Sequence, residues 1–261
     1  QYAGGVNYEI MKGLEVSVEG YYKTMDNVLE YNNGASWLNC TGDWQSLVSL
    51  GKGRSYGVEL MAQRSVGNTT GWVSYTWAKS LRTFDRPGQE LNGGREFLAG
   101  NDKRHNFNIV VVQRLGQHWK LSASWTYQSG RRGILANTSM YGGVLQEWDP
   151  SIRPESSTLK EQEYMQNRDD AAHWAEMPGM FVTYRERNNY KLPDVHHLDV
   201  GITYSVNHRG FGASEVNLSF YNLYNQQNIN SVYIGTNDKK YVLKGICMFP
   251  FMPSLTYTLK F

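Results

Sequence analysis

The chain has 261 residues, a formal net charge of +2 and a mean hydropathy of −0.55. A charge so close to zero gives no argument for binding to nucleic acid. No run approaches the roughly 18 continuous apolar residues of a membrane helix. Alternating β-strands average out in hydropathy, so a membrane β-barrel stays compatible with this composition.

Alternation of apolar and polar residues with a period of two predicts about nine antiparallel strands. In the second strand, for example, Val16 and Val18 point to one face and Glu15 to the other. Pro250 and Pro253 interrupt the last strand, where we expect a bulge or bend. The predicted strands are 3–11, 14–31, 54–66, 70–82, 104–115, 119–131, 195–206, 214–233 and 241–261.

The connections alternate between short turns and long loops, which is typical of outer-membrane barrels with periplasmic turns and extracellular loops. Nine is an odd number, whereas single-chain bacterial barrels use even numbers. The chain also opens in strand-like sequence without an initiating Met or a signal peptide. We therefore expect further strands before Gln1, or strands supplied by another chain.

The last strand runs to an aromatic carboxy terminus without a polar tail. A barrel ends in this way because its last strand must pair with its first to remove the open edge. The residues predicted to form this barrel-assembly signal share one face and are Leu255, Tyr257, Leu259 and Phe261.

A soluble β-sandwich, such as a carbohydrate-binding module, is the alternative explanation of the apolar face. Two predicted strands, the second and the last, are much longer than the usual 5–6 residues. The opposite face carries more charge than a sandwich core tolerates, although it suits a wet lumen. These charged residues are Glu15, Glu19, Lys23, Glu59, Lys120 and Asp199.

Aromatic and arginine side chains in or beside the long loops are the candidate ligand contacts. Such residues suit sugar stacking, chelated iron or peptide capture; the alternative is packing of loop on loop. The candidates are Trp37, Trp44, Arg131, Arg132, Tyr141, Trp148, Trp174, Arg185 and Arg187. A second set, on the strands, is predicted to anchor the barrel at the membrane interfaces: Tyr22, Trp77, Trp119, Trp125 and Tyr257.

Motifs for catalysis are absent, and we expect no enzyme activity, no catalytic residue, no metal site and no cofactor. His196 and His197 point to opposite faces and cannot chelate one ion. His197 shares its face with Asp199, which predicts a salt bridge or hydrogen bond in the wall. For Cys40 and Cys247 a disulfide is permitted in the periplasm, but their separation favours two free thiols.

An ordered series of motifs covers nearly the whole chain. It comprises RSYGVEL (54–60), SYTWAKS (74–80), DKRHN (102–106), YQSG (127–130), NYKLPDVHHLDV (189–200), YNLYN (221–225) and the terminal strand. The series resembles the TonB-dependent outer-membrane receptors, in particular the class with an amino-terminal carboxypeptidase-regulatory-like domain. The resemblance implies that residues 1–261 are the carboxy-terminal portion of a transmembrane antiparallel β-barrel, the last nine of about 22 strands. The plug and the amino-terminal domains would then lie outside this chain.

By the same resemblance, the protein is expected in the outer membrane of a Gram-negative bacterium. It would import a scarce, bulky ligand, such as a siderophore, an oligosaccharide or a peptide. The implied partners are outer-membrane lipid, the plug and the TonB energy-transducing complex. A surface lipoprotein or a larger outer-membrane assembly is a further candidate. The alternative function is a structural barrel that serves as a scaffold in such an assembly.

Overall fold

The computed structural model describes residues 1–32, 43–135, 138–141, 144–147, 155–157, 181–183, 186–208, 210, 212–237 and 240–261. For residues 138–141, 144–147, 155–157, 181–183, 234–237 and 240–241 only the backbone is described. Among the described residues, no helix has the length and apolar character needed to cross a membrane.

The described residues form eighteen strands. They are β1 Tyr2–Met11, β2 Leu14–Tyr31, β3 Val48–Arg64, β4 Thr69–Thr83, β5 Phe97–Leu98, β6 His105–Leu115, β7 Trp119–Gln128, β8 Arg132–Gly133, β9 Thr138–Tyr141, β10 Val144–Glu147, β11 Glu155–Ser157, β12 Phe181–Thr183, β13 Tyr190–Lys191, β14 Val195–His208, β15 Gly212–Tyr221, β16 Ile229–Asn237, β17 Lys240–Cys247 and β18 Met252–Lys260.

Nine of these strands form the main sheet, in the order β1-β2-β3-β4-β6-β7-β14-β15-β18, with β5 added to β4. Every neighbouring pair in the main sheet is antiparallel. The prediction of an all-β antiparallel fold with nine wall strands is confirmed. The other strands form three small sheets in the long connections: β9, β10 and β12; β11, β16 and β17; and β8 and β13.

The main sheet has two distinct ends, because its short and long connections alternate as predicted. The short connections 12–13, 65–68, 116–118 and 209–211 lie at one end, here called the turn end. The long connections 32–47, 84–104, 129–194 and 222–251 each leave and rejoin the main sheet at the other end, here called the loop end.

Cross-strand register places the predicted apolar residues on one continuous face. One row of directly opposed residues on six strands is Val6, Val18, Leu60, Tyr75, Phe107 and Tyr127. The adjacent row on the other face is Ser17, Met61, Ser74, Asn108, Thr126 and His197. The sheet therefore has an apolar face and a polar face, as the alternation predicted.

The apolar face is not covered by protein. Val18, Leu60 and Val111 are 46%, 42% and 40% exposed. Among the described residues, the buried apolar side chains lie at the loop end and in the long connections: Leu81, Phe84, Leu91, Phe97, Ala99, Leu135, Tyr190, Leu192 and Leu243. A β-sandwich buries one face of each sheet against the other, so the soluble-sandwich alternative is wrong.

Aromatic side chains form two rows on the apolar face. Tyr56 and Trp77 lie near the loop end, with ring centroids 6.0 Å apart. Trp119 and Tyr204 lie at the turn end, with centroids 4.7 Å apart. On β6, His105 is directly opposite Trp77 of the first row, and Leu115 is directly opposite Trp119 of the second row. These two β6 residues are ten positions apart. That span is about 34 Å along a strand, or roughly 25 Å at the tilt of a barrel strand, the height of an outer-membrane apolar band.

The eighth and ninth predicted strands are wrong as continuous strands, because each is divided into two strands in the structure. The segment 214–233 breaks after Tyr221, where Asn222 (φ 51°) and Asn225 (φ 53°) take left-handed backbone conformations. The segment 241–261 breaks at 248–251, where Phe249 has φ 57°. The residues between the two breaks form the hairpin of β16 and β17. The predicted bend at Pro250 falls within this second break, whereas Pro253 lies in the edge strand β18, where proline is tolerated.

The third strand begins at Val48, six residues before the predicted Arg54. Gly51 and Gly53 interrupt the alternation and suggested a loop, but both lie within β3. A Cβ atom at Gly51 would lie 2.5 Å from Cδ1 of Phe84. The glycine is therefore required by the close approach of a buried ring, not by a turn.

Substitution of Leu60 by Arg tests the assignment of the two faces. If the apolar face meets hydrocarbon, a mid-membrane Arg on it costs about 2–4 kcal/mol, and the yield of heat-modifiable, membrane-inserted protein falls. Arg at the neighbouring Met61, on the polar face, is the matched control and is tolerated. Both variants are made in the full-length protein; equal yields, measured by gel shift after insertion into liposomes, would contradict the assignment.

Candidate ligand-facing rim

The described segments of the long connections form a packed rim above the sheet at the loop end. Phe84, Leu91 and Phe97 are buried together, with Val28 of β2 against them. A second cluster contains Leu135, Tyr190, Leu192 and Leu243. Burial raises the pKa of Tyr190. The two clusters are small cores that hold the described loop segments in fixed positions above the wall.

Arg187 ties three parts of the rim together. Its guanidinium Nη2 donates to the carbonyl of Tyr31 and lies 3.6 Å from a carboxylate oxygen of Glu30. Its backbone N–H donates to Oδ1 of Asn92 at 3.0 Å, and its guanidinium lies 5.9 Å from the centre of the Phe97 ring. Arg187 is only 7% exposed. It therefore packs between the loops, as the alternative to ligand contact predicted.

Asp194 fastens the start of β14 to the end of β7. It accepts hydrogen bonds from the hydroxyl of Tyr127 at 2.7 Å and the N–H of Gly130 at 2.9 Å, and Lys191 Nζ lies 2.7 Å away. Burial opposes ionisation of Asp194, but the hydrogen bonds from Lys191, Tyr127 and Gly130 outweigh it and lower the pKa to about 2. Asp194 is therefore ionised at neutral pH and holds three groups from two segments.

Asn222 is the first residue after β15 and is fully buried, where it stabilises the turn that follows the strand. Its Nδ2 donates to the carbonyl of Gln226 at 2.9 Å, its Oδ1 accepts from the N–H of Gln226, and its own N–H donates to Asp199. Asp199 also lies 3.5 Å from Nε2 of His197. The predicted pair of His197 and Asp199 is thus confirmed. Among the described residues, no group of three His, Cys, Asp or Glu side chains could hold a metal ion.

Two of the predicted ligand contacts are exposed on the rim. Trp44 is 55% exposed in a 3-10 turn, Trp44–Leu47, which Asp43 caps by accepting from the N–H of Gln45. Arg131 is exposed and donates to the carbonyl of Asn230 at 2.6 Å. Both side chains have surface available to a bound molecule.

The remaining candidates fall into two groups. Arg132 is half-buried in β8, where its backbone pairs with Lys191, and Tyr141 pairs through its backbone with Val144. Four candidates lie outside the described residues, as does Cys40: Trp37, Trp148, Trp174 and Arg185. Cys247 makes no disulfide within the described part of the chain.

The sequence did not reveal which residues Arg187 would contact. Glu30, Asn92 and Phe97 lie far from it in the chain, and their identities carry no common motif. Asp102, the first residue of the DKRHN motif, is buried, where it accepts a hydrogen bond from the N–H of Ser80 at 2.7 Å and pairs with Arg104. The Asn-Leu-Tyr-Asn segment carries a local signal that the prediction of a continuous strand 214–233 did not use, since Asn tolerates the left-handed backbone conformation.

The predicted assembly signal lies on the apolar face of the edge strand β18. Tyr257 and Leu255 are 62% and 73% exposed and stand directly opposite Val216 and Leu218 of β15. No described strand pairs with the other edge of β18. The role of this row in barrel assembly stays a prediction.

Replacement of Asp194 by Asn tests the junction of β7 and β14. A carboxylate with a lowered pKa contributes stability above its unfolded pKa of about 4, and this is lost as the pH falls through its folded pKa of about 2. Because the side chain is 34% exposed, we expect a loss of only about 1 kcal/mol. At pH 7 the Gly130 amide should exchange about fivefold faster, with the difference from the native protein vanishing toward pH 2. Asp85→Asn, at an exposed rim carboxylate, is the control; unchanged exchange in Asp194→Asn would contradict the account.

Comparison with known proteins agrees with this architecture. The family model described as TonB dependent receptor-like, beta-barrel matches residues 1–225. Searches of curated proteins and of solved structures each returned no match. The matched segment contains eight of the nine wall strands, all except β18. The chain belongs to the family of TonB-dependent receptor β-barrels.

Proposed function

We propose that this chain is part of the barrel wall of an outer-membrane receptor that imports a scarce, bulky ligand in a TonB-dependent manner. The family consists of outer-membrane receptors that transport and do not catalyse. The observation that carries the proposal is the exposed apolar face between two aromatic rows about 25 Å apart. Water would leave this face unburied, whereas hydrocarbon would cover it.

The polar face supports a water-filled or plug-filled lumen. Glu19 stands directly opposite Glu59, an arrangement that is destabilising unless solvent or a partner compensates the charges. Asn106, Asn108 and Thr126 supply further hydrogen-bonding groups on the same face. Such a surface suits contact with a plug, which in this family lies inside the barrel and connects it to TonB.

Closure of the wall is part of the proposal. β1 and β18 are the two edges of the main sheet among the described residues. An open edge exposes unpaired backbone groups, which hydrocarbon does not tolerate. We infer that both edges pair with further strands of a barrel of which residues 1–261 are the carboxy-terminal portion.

The rim is the proposed place of ligand capture. Trp44 offers an exposed ring for stacking, and Arg131 offers a cation near the mouth of the barrel. The candidates outside the described residues belong to the same proposal. A siderophore, an oligosaccharide or a peptide would each suit this chemistry.

Uptake by cells of the source bacterium tests the proposal. Cells with and without the gene are given ⁵⁵Fe-loaded siderophores, fluorescent oligosaccharides or fluorescent oligopeptides. We expect one probe class to accumulate at least tenfold more in cells that carry the gene, and this uptake to vanish when TonB is removed. Trp44→Ala and Arg131→Ala should reduce it, because both side chains are exposed on the rim.

Arg64→Ala is the matched control, since Arg64 lies on the apolar face at the turn end. Uptake that survives removal of TonB would contradict energised transport. Loss of an outer-membrane complex on gene deletion, with unchanged uptake of every probe, would favour the scaffold alternative.

A further inference from the structure

A groove of about 490 Å³ lies on the apolar face near the loop end. Its rim is aromatic: Tyr22 and Tyr56 stack with centroids 6.3 Å apart, and Trp77 lies beyond Tyr56. Its floor is lowered by Gly20, where an added Cβ would meet no atom within 4 Å. Val58, directly opposite Gly20, completes the floor. The groove therefore opens toward the proposed membrane, beneath an aromatic shelf.

Three cations stand beside the shelf on its loop-end side. Lys79 is directly opposite Tyr56, and Arg54 precedes Tyr56 by two residues in β3, on the same face. The guanidinium of Arg104 lies 6.0 Å from the centre of the Trp77 ring. These positions match the depth at which lipid headgroups meet an interfacial aromatic belt.

The cations differ in their partners. Arg54 is held by Glu96 through two hydrogen bonds of 2.8 and 2.7 Å, and Arg104 is paired with Asp102. Lys79 makes no ion pair or side-chain hydrogen bond with any part of the chain that the structure describes. A positive charge at the headgroup level, above an apolar groove, is complementary to an anionic lipid.

We propose that this groove binds an acyl chain of a phosphate-bearing lipid of the outer leaflet, with the phosphate at Lys79. The proposal rests on the membrane placement argued for the proposed function. Arg54 and Arg104 are each neutralised by a carboxylate partner, so Lys79 supplies the net positive charge among the described residues beside the groove. The aromatic shelf separates the two parts of the ligand, with hydrocarbon below it and phosphate above it.

Binding of diphosphoryl lipid A to the purified full-length protein, with the strands that complete its barrel, is followed in detergent by native mass spectrometry and tests the proposal. We expect Lys79→Gln to weaken binding about fivefold, as for loss of one exposed ion pair. Gly20→Val should weaken it as well, because a Cβ at this position meets no atom within 4 Å and the added side chain would occupy the floor of the groove. Arg64→Gln removes a cation from the same face at the opposite leaflet and should leave the affinity unchanged.

Two further ligands distinguish the contribution of the acyl chains to binding from that of the phosphate. Fully dephosphorylated lipid A, with the same acyl chains, should bind to wild type as weakly as the diphosphoryl form binds to Lys79→Gln. Inorganic phosphate in excess should not displace the lipid; full displacement would overturn the role of the groove. Equal affinity of Lys79→Gln and wild type, or an equal loss for Arg64→Gln, would overturn the site.

Insertion of the same variants into liposomes distinguishes failure of the lipid site from failure of the proposed function. If wild type and Lys79→Gln both insert and show heat-modifiable migration, failure to discriminate the lipids overturns the lipid site alone. If wild type does not insert, the membrane placement fails, and the lipid site fails with it.

Discussion

The structure depends on one constraint: a large sheet exposes an apolar face that no part of the described chain covers. Full burial of a Val, Leu or Phe side chain is worth about 1.5–3 kcal/mol, and several rows of such side chains cross the sheet. The compact clusters at the loop end are too small and too distant to provide this burial. An apolar solvent has to supply it, and the roughly 25 Å between the two aromatic rows matches the thickness of such a solvent.

The other features follow from that constraint. Backbone groups in hydrocarbon must be paired, which explains the unbroken antiparallel ladder from β1 to β18. Long connections are confined to one end, where Arg187, Asp194 and Asn222 hold their bases against the wall. The membrane thus sets the length of the strands between the aromatic rows, and the rim contains the described segments of the long connections.

Much of the wall could be predicted from the sequence, because the signal for a strand is local. Val16, Val18, Leu60 and Tyr75 repeat with the period of a strand, and their register follows once the short turns are placed. The prediction failed where a distant residue decides the local structure. Gly51 looks like a loop residue until Phe84 is placed against it, and the breaks at Asn222 and Phe249 depend on contacts between segments. The rim was the least predictable region, since the partners of Arg187 share no pattern in the sequence.

The most direct test of the account labels the two faces of β3 separately. Single cysteines replace Leu60 or Met61 in a background in which Cys40 and Cys247 are Ser, and each carries a bimane fluorophore. In liposomes, brominated lipid chains should quench the label at 60 and leave the label at 61 accessible only to aqueous iodide. Quenching of both labels by the same agent would contradict the division of the sheet into a lipid face and a lumen face.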